Sequence, residues 1–203
     1  MTRRGAMLRL RGLPVAGLRR TCEVLDEAGC ATIYVEQDFT ACAAVAALTR
    51  RARVCCLTTS RDSATVARAA ATLDYFSDGR FVLGLGPLAD EDGPYSDVAA
   101  AERTIEEVLE RVRKLPVLVA GDGPGPARLA ARLAGSWLTA ASPDELRGWR
   151  GEVRRTSPLD ANIPSGVGTV AHDQQEVEEV VAPLTSVLRS ADEALAWLEA
   201  VAA

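Results

Sequence analysis

At 203 residues, with 48% hydrophobic and 25% charged side chains, the chain has the make-up of a globular protein that buries one sizeable core, and residues 1–203 read as a single domain. A net charge of −5 argues against nucleic acid or an anionic membrane as the main partner. The basic start MTRRG is followed by no apolar signal core, and the longest apolar run, Ala41 to Leu48, is too short to cross a bilayer, so a soluble cytoplasmic protein with no membrane partner is expected. Strand and helix patterns alternate along the chain. Met7 to Leu10 reads as a strand, Val15 to Ala28 as a helix with Val15, Leu18, Cys22 and Leu25 on one face, and Thr32 to Val35 as a strand. An alanine-rich helix from Thr40 to Arg50, a strand from Val54 to Thr58, a helix from Ser63 to Phe76 and a strand from Phe81 to Leu85 follow.

The second half continues the rhythm. Val98 to Arg113 is an amphipathic helix, Val117 to Ala120 a strand, Pro126 to Ala134 a helix and Trp137 to Thr139 a short strand. Ser142 to Glu145 has the pattern of a capping box with proline at the first helical position. Val167 to Ala171 is a strand, and Asp173 with Glu176 opens a helix that Pro183 ends. Leu184 to Leu188 is an eighth strand candidate, and Ser190 with Glu193 opens a last helix with Leu195, Leu198 and Val201 inward. Eight strands, each followed by a helical segment, fit a compact α/β fold of the (β/α)8 TIM-barrel type; an open doubly wound sheet is the competing architecture.

The five cysteines, 22, 30, 42, 55 and 56, lack metal-ligand spacing. Cys55 and Cys56 are neighbours in a strand and point to opposite faces, so all five read as reduced, buried small hydrophobes and no metal is expected. Ser77-Asp78-Gly79 has turn chemistry, and Phe81-Val82-Leu83 leads into Gly84 and Gly86, a strand end bare of side chains.

The whole run from Ala70 to Gly86, AATLDYFSDGRFVLGLG, resembles the bacterial luciferase-like monooxygenase family of flavin- and deazaflavin-dependent oxidoreductases. There a helix ending in Leu-Asp leads through a Ser-x-Gly-Arg turn into a strand ending Gly-x-Gly. PVLVAGDGPGPARLAARLAGSWL, from Pro116 to Leu138, is similar to a second segment of that family, and Glu27 to Ala52 is similar more loosely. The departures are specific: the Asp-His that commonly ends the second strand of deazaflavin users reads Gln37-Asp38, the His-Pro after the third strand reads Arg61-Asp62-Ser63, and the long insertions near the site are missing. The chain looks like a shortened member.

The resemblance implies a luciferase-like (β/α)8 barrel with its site at the C-terminal strand ends. It implies an oxidoreductase or monooxygenase that uses FMN or a deazaflavin coenzyme on a small organic substrate, or else a non-catalytic flavin-binding or partner-stabilising relative. Gln37, Thr58, Thr59, Gly84, Gly86, Gly121 and Gly123 are the candidate cofactor-binding residues. Asp38 is the candidate catalytic residue, because a carboxylate handles protons when burial raises its pKa; its other reading is a helix N-cap. Gly121 to Gly125 is either a phosphate-holding turn, opposed by the charge of Asp122, or a plain tight turn. His172 ends a strand candidate, and Asp90, Glu91 and Asp92 read as an exposed acidic loop. Family members dimerise through the helices matching 41–48 and 64–72, so a homodimer is expected.

Overall fold

A computed structural model describes residues 3–8, 14–59, 62–88, 98–139, 169–171, 179–184, 188 and 190–200. Its strands are β1 (Arg3–Leu8), β2 (Thr32–Glu36), β3 (Arg53–Thr58), β4 (Phe81–Leu88), β5 (Val117–Gly121), β6 (Gly135–Thr139), β7 (Thr169–Ala171) and β8 (Glu179–Leu184). The helices are α1 (Val15–Glu27), α2 (Phe39–Leu48), α3 (Ser63–Phe76), α4 (Val98–Arg111), α5 (Pro124–Leu129), which continues as a π-helical turn over Ala130–Ala134, and α6 (Ala191–Ala200).

β1 to β6 pair in sequence order, all parallel, and β8 pairs parallel with β1, so the hydrogen-bonded order returns on itself. β7 departs from the regular repeat, running antiparallel to both β6 and β8. The fold is therefore α/β with a largely parallel sheet, and among the described residues the regular strand–helix units run from β1 to α5.

Three expected boundaries are corrected. β1 begins at Arg3 rather than Met7: its charged first residues are held because all six residues of the strand find register partners on β8. Residues 179–183, expected as the end of a helix, are strand together with Leu184, and residues 185–187 of the expected eighth strand lie outside the described residues. Val180 and Val181 favour an extended backbone. Pro183 lies within this strand, in register with Met7 of β1. Helix α5 starts at Pro124, not Pro126, which is possible because the first N–H groups of a helix have no intrahelical partner to lose. The capping box at 142–145, the helix opening at Asp173, His172 and the acidic loop at 90–92 lie outside the described residues.

Alternation along the strands makes two cores. Val35, Val54, Cys56, Leu83, Leu85 and Val119 pack outward under the helices with Cys42, Val45, Leu73 and Ile105. Tyr34, Cys55, Leu57, Val82, Leu118, Ala120 and Leu138 fill the inner face, with Met7 against them. Cys55 and Cys56 thus face opposite ways, as alternation requires, and all five cysteines are buried. In α6, Ala194 and Leu198 are buried but Leu195 is 44% exposed, which corrects its inward placement. The Oγ of Ser190 accepts from the amide of Glu193 at 3.1 Å and caps that helix.

A polar knot closes the N-terminal end of the sheet. Asp26, on the last turn of α1, accepts three backbone N–H bonds from the loop before β3: Arg50 at 2.9 Å, Arg51 at 2.9 Å and Ala52 at 2.7 Å. Arg80, which follows the Ser77-Asp78-Gly79 turn, donates to the carbonyls of Ala46 at 3.0 Å and Ala52 at 2.8 Å, and to the Thr49 hydroxyl at 3.0 Å. The turn depends on left-handed backbone at Asp78, with φ 56°, and at Gly79, with φ 73°.

Candidate functional site

The C-terminal ends of β2, β3 and β4 lie side by side, with Glu36 in register with Leu57, and Leu57 with Gly84. Register partners in neighbouring parallel strands share a face, so Glu36 continues the inner row below it, in which Met7, Tyr34, Cys55 and Val82 pair in turn. That row is a packed floor: Tyr34 is 1% exposed and Cys55 fully buried. The candidate site is the mouth above it.

Glu36 is the acidic residue that strand alternation brings to the inner side, and it is exposed. Reading the sequence as a strand that stops at Val35 hides it; extending the alternation from Tyr34 by two residues is the signal that finds it. Asp38 lies two residues further on and serves α2 as N-cap, its Oδ1 accepting from the amide of Ala41 at 3.0 Å. Between them Gln37 takes φ 54°, a left-handed conformation uncommon for a non-glycine residue, with its amide donating to the Leu57 carbonyl at 2.6 Å. Asp is replaceable at an N-cap by Asn but not by Ala. Asp38→Ala should therefore lower stability by about 1 kcal/mol while Asp38→Asn leaves it unchanged, as read by urea denaturation. A loss of function in Asp38→Asn then reports chemistry rather than folding.

Thr58 alternates with Val54 and Cys56, so its side chain is buried on the helix side rather than facing the inner row. Thr59 follows it, half-buried. Where a His-Pro was looked for, Asp62 caps α3, accepting from the amide of Thr65 at 3.1 Å and its hydroxyl at 2.6 Å. The Thr65 hydroxyl and amide bonds hold the Asp62 carboxyl below its usual range.

The two glycines of β4 are filled by the protein itself. A Cβ on Gly84 would lie 2.5 Å from Leu57 Cδ2 and 3.1 Å from Cys55 Sγ. On Gly86, at φ +137°, it would lie 2.1 Å from the Ala120 carbonyl oxygen. Their bareness serves close packing first, and any ligand meets backbone there.

At the end of β5, Gly121 and Gly123 take φ 143° and 103°. The Gly121 carbonyl accepts from the Trp137 indole N–H at 2.7 Å, and Asp122 accepts from the Thr139 hydroxyl at 2.5 Å. These bonds tie the ends of β5 and β6 together and keep a carboxylate inside the glycine turn. The ionisable groups of the described strand-end loops on this side are Glu36, Asp38, Asp62 and Asp122, all acidic. Among the described residues no group of His, Cys, Asp and Glu has metal-site geometry, and no helix is long and apolar enough to cross a membrane.

Residues 21–92 match the family model of luciferase-like monooxygenases. No curated protein matches the chain. Among solved structures, the coenzyme F420-dependent tetrahydromethanopterin reductase of Methanopyrus kandleri superposes with a TM-score of 0.61 at 15% identity, over 75% of this chain and 60% of the reductase. The oxygenating constituent of 3,6-diketocamphane monooxygenase from Pseudomonas putida, in complex with FMN, gives 0.55 at 13% identity over 89% of this chain and 67% of its own. An aldolase gives 0.55 at 12% identity over 74% of this chain and 75% of its own. At these identities the superpositions establish the fold, and the aldolase shows that the fold does not choose the chemistry. The chain spans three-fifths of the reductase.

Proposed function

We propose that this luciferase-like chain is an oxidoreductase that holds a flavin or deazaflavin ring at the mouth of its sheet and acts on a small organic substrate. The reading rests on the match over residues 21–92, a range that includes β2, β3 and β4, the strands brought into register at Glu36, Leu57 and Gly84. FMN and coenzyme F420, named for two structures of this fold, are the cofactors to test. When bound, such a ring supplies the redox chemistry, and the protein binds and orients it.

The candidate contacts are Gln37, Thr58, Thr59, Gly84, Gly86, Gly121 and Gly123, with Thr58, Gly84 and Gly86 contributing backbone rather than side chain. The floor of Tyr34, Cys55 and Val82 keeps the ring at the mouth and water from the sheet interior. Asp38 and Glu36 are the two carboxylates available to hold or move a proton, with Glu36 on the inner side. A complete eight-unit barrel belongs to the same reading, as do a cytoplasmic setting and a homodimer built on α2 and α3. The helix α2 supports the dimer: apart from Thr40 it is apolar, with Ala43, Ala44 and Ala47 exposed on its outer side.

The non-catalytic alternative is favoured by one observation, the engagement of Asp38 as the cap of α2. The two readings part on a fluorescence titration with FMN and with coenzyme F420. Binding of either at micromolar concentration, with substrate-dependent turnover, is expected. Binding without turnover on any substrate screened points to the non-catalytic form. Absence of binding by both at several hundred micromolar sinks the cofactor reading.

A further inference from the structure

Where the described strands end at the mouth, positive-φ backbone is otherwise given to glycine: Gly86 at φ 137° in β4, then Gly121 at 143° and Gly123 at 103° around the end of β5. After β2 the same demand falls on Gln37, at φ 54°. The other non-glycine residue of this kind among those described is Asp78, at φ 56° in the turn before β4, and Asp is a type that tolerates the left-handed region. Gln is not such a type, whereas glycine adopts that conformation with no clash between Cβ and a carbonyl oxygen. The neighbouring strand locks the geometry, because the Gln37 amide donates to the Leu57 carbonyl at 2.6 Å. The Gln37 side chain is exposed and, among the described residues, has no hydrogen-bond partner. A strained backbone whose side chain does nothing for the fold points to work done on a ligand. On either side stand carboxylates, Glu36 and Asp38, which accept hydrogen bonds, and Asp38 is engaged as the cap of α2. The carboxamide of Gln37 holds an acceptor oxygen and a donor nitrogen side by side. Flavins and 5-deazaflavins share a ring edge of the matching kind, an imide N–H flanked by carbonyls.

We propose that Gln37 is a specificity-determining residue of the mouth, its carboxamide pairing through two hydrogen bonds with the imide edge of the bound ring. The proposal rests on the ring-binding reading above and adds which edge of the ring is read and by which group. The left-handed strain is retained because glycine, which would remove it, has no amide side chain to present.

The test is a cycle of fluorescence titrations on the wild-type chain and on Gln37→Gly, accompanied by urea denaturation of both. The probes are riboflavin and 3-methylriboflavin, whose imide nitrogen carries a methyl in place of the proton. Glycine keeps the backbone conformation and deletes the amide, so Gln37→Gly is expected to have the higher urea midpoint and yet to bind riboflavin about tenfold more weakly. The wild-type chain is expected to prefer riboflavin over the methylated ring by about tenfold, and that preference should collapse in Gln37→Gly. Equal riboflavin affinity in the two chains overturns the proposal and leaves the ring-binding reading standing. Weaker binding by Gln37→Gly with the preference intact overturns the assignment to the imide edge. A lower urea midpoint in Gln37→Gly means that the side chain serves the fold, which also overturns the proposal. If neither probe binds the wild-type chain, the ring-binding reading falls, and this proposal with it.

Discussion

Gly86→Ala is expected to be the most damaging single-methyl change in the described part of the chain, lowering stability by about 3 kcal/mol or more. Two independent effects meet there. At φ +137° an L-residue is strained whatever space is available. The added Cβ would also lie 2.1 Å from the Ala120 carbonyl oxygen and 2.8 Å from its carbon, backbone atoms that cannot rotate away. Relief requires β4 and β5 to separate where their register already shifts between Leu85 and Leu88. Gly79→Ala is the control, because Gly79 has φ +73° but nothing within 4 Å of its Cβ position, so strain alone acts and about 1 kcal/mol is expected. Urea denaturation of both variants gives the comparison. Equal midpoints would mean that the β4–β5 approach is looser than described. A ligand-binding defect in a Gly86 variant is informative only when its fold has been verified.

Asp26→Ala should cost a similar amount, about 3 kcal/mol, because three backbone N–H groups lose a charged acceptor at once. Burial pushes the Asp26 carboxyl upward, but the amides of Ala52, Arg50 and Arg51, together with the charge of Arg80, outweigh it and hold the pKa below its ordinary value. A carboxylate with a depressed folded pKa stabilises fully above its unfolded pKa, about 4, and loses that contribution as pH falls towards the folded value. The stability difference between wild type and Asp26→Ala is therefore expected to be constant near neutral pH and to narrow below pH about 4. Chemical denaturation at pH 7 and pH 3 measures it. A difference that persists undiminished at pH 3 would show that ionisation is not what holds the knot. Asp26→Asn, which keeps one acceptor oxygen, should fall between the two.

Where local chemistry and tertiary context agree, the sequence is enough. Helix α3 runs from Ser63 to Phe76 as read, because Asp62 caps one end and the Ser77-Asp78-Gly79 turn stops the other. The opposite faces of Cys55 and Cys56 follow from alternation alone. Arg3 and Arg4 look like a solvated start, and only pairing with β8, far away in the chain, makes them strand. Pro183 looks like a helix terminator, and only the pairing of its strand with β1, far away in the chain, makes it strand. At the site, Asp38 as N-cap is legible, since the residue type and the helix start are both local. The inner position of Glu36 needs the strand to be carried one residue further than composition suggests. The filling of Gly84 and Gly86 by Leu57 and Ala120 depends on neighbouring strands and has no local signature.

Arg80 and the turn before it, the most family-like letters of the chain, bind the loop that feeds β3 at the end of the sheet opposite the mouth. What is easiest to identify here is joinery. A relative could keep every one of those letters while its reactive end changed trade, so kinship detected through this stretch transmits a blueprint rather than an occupation.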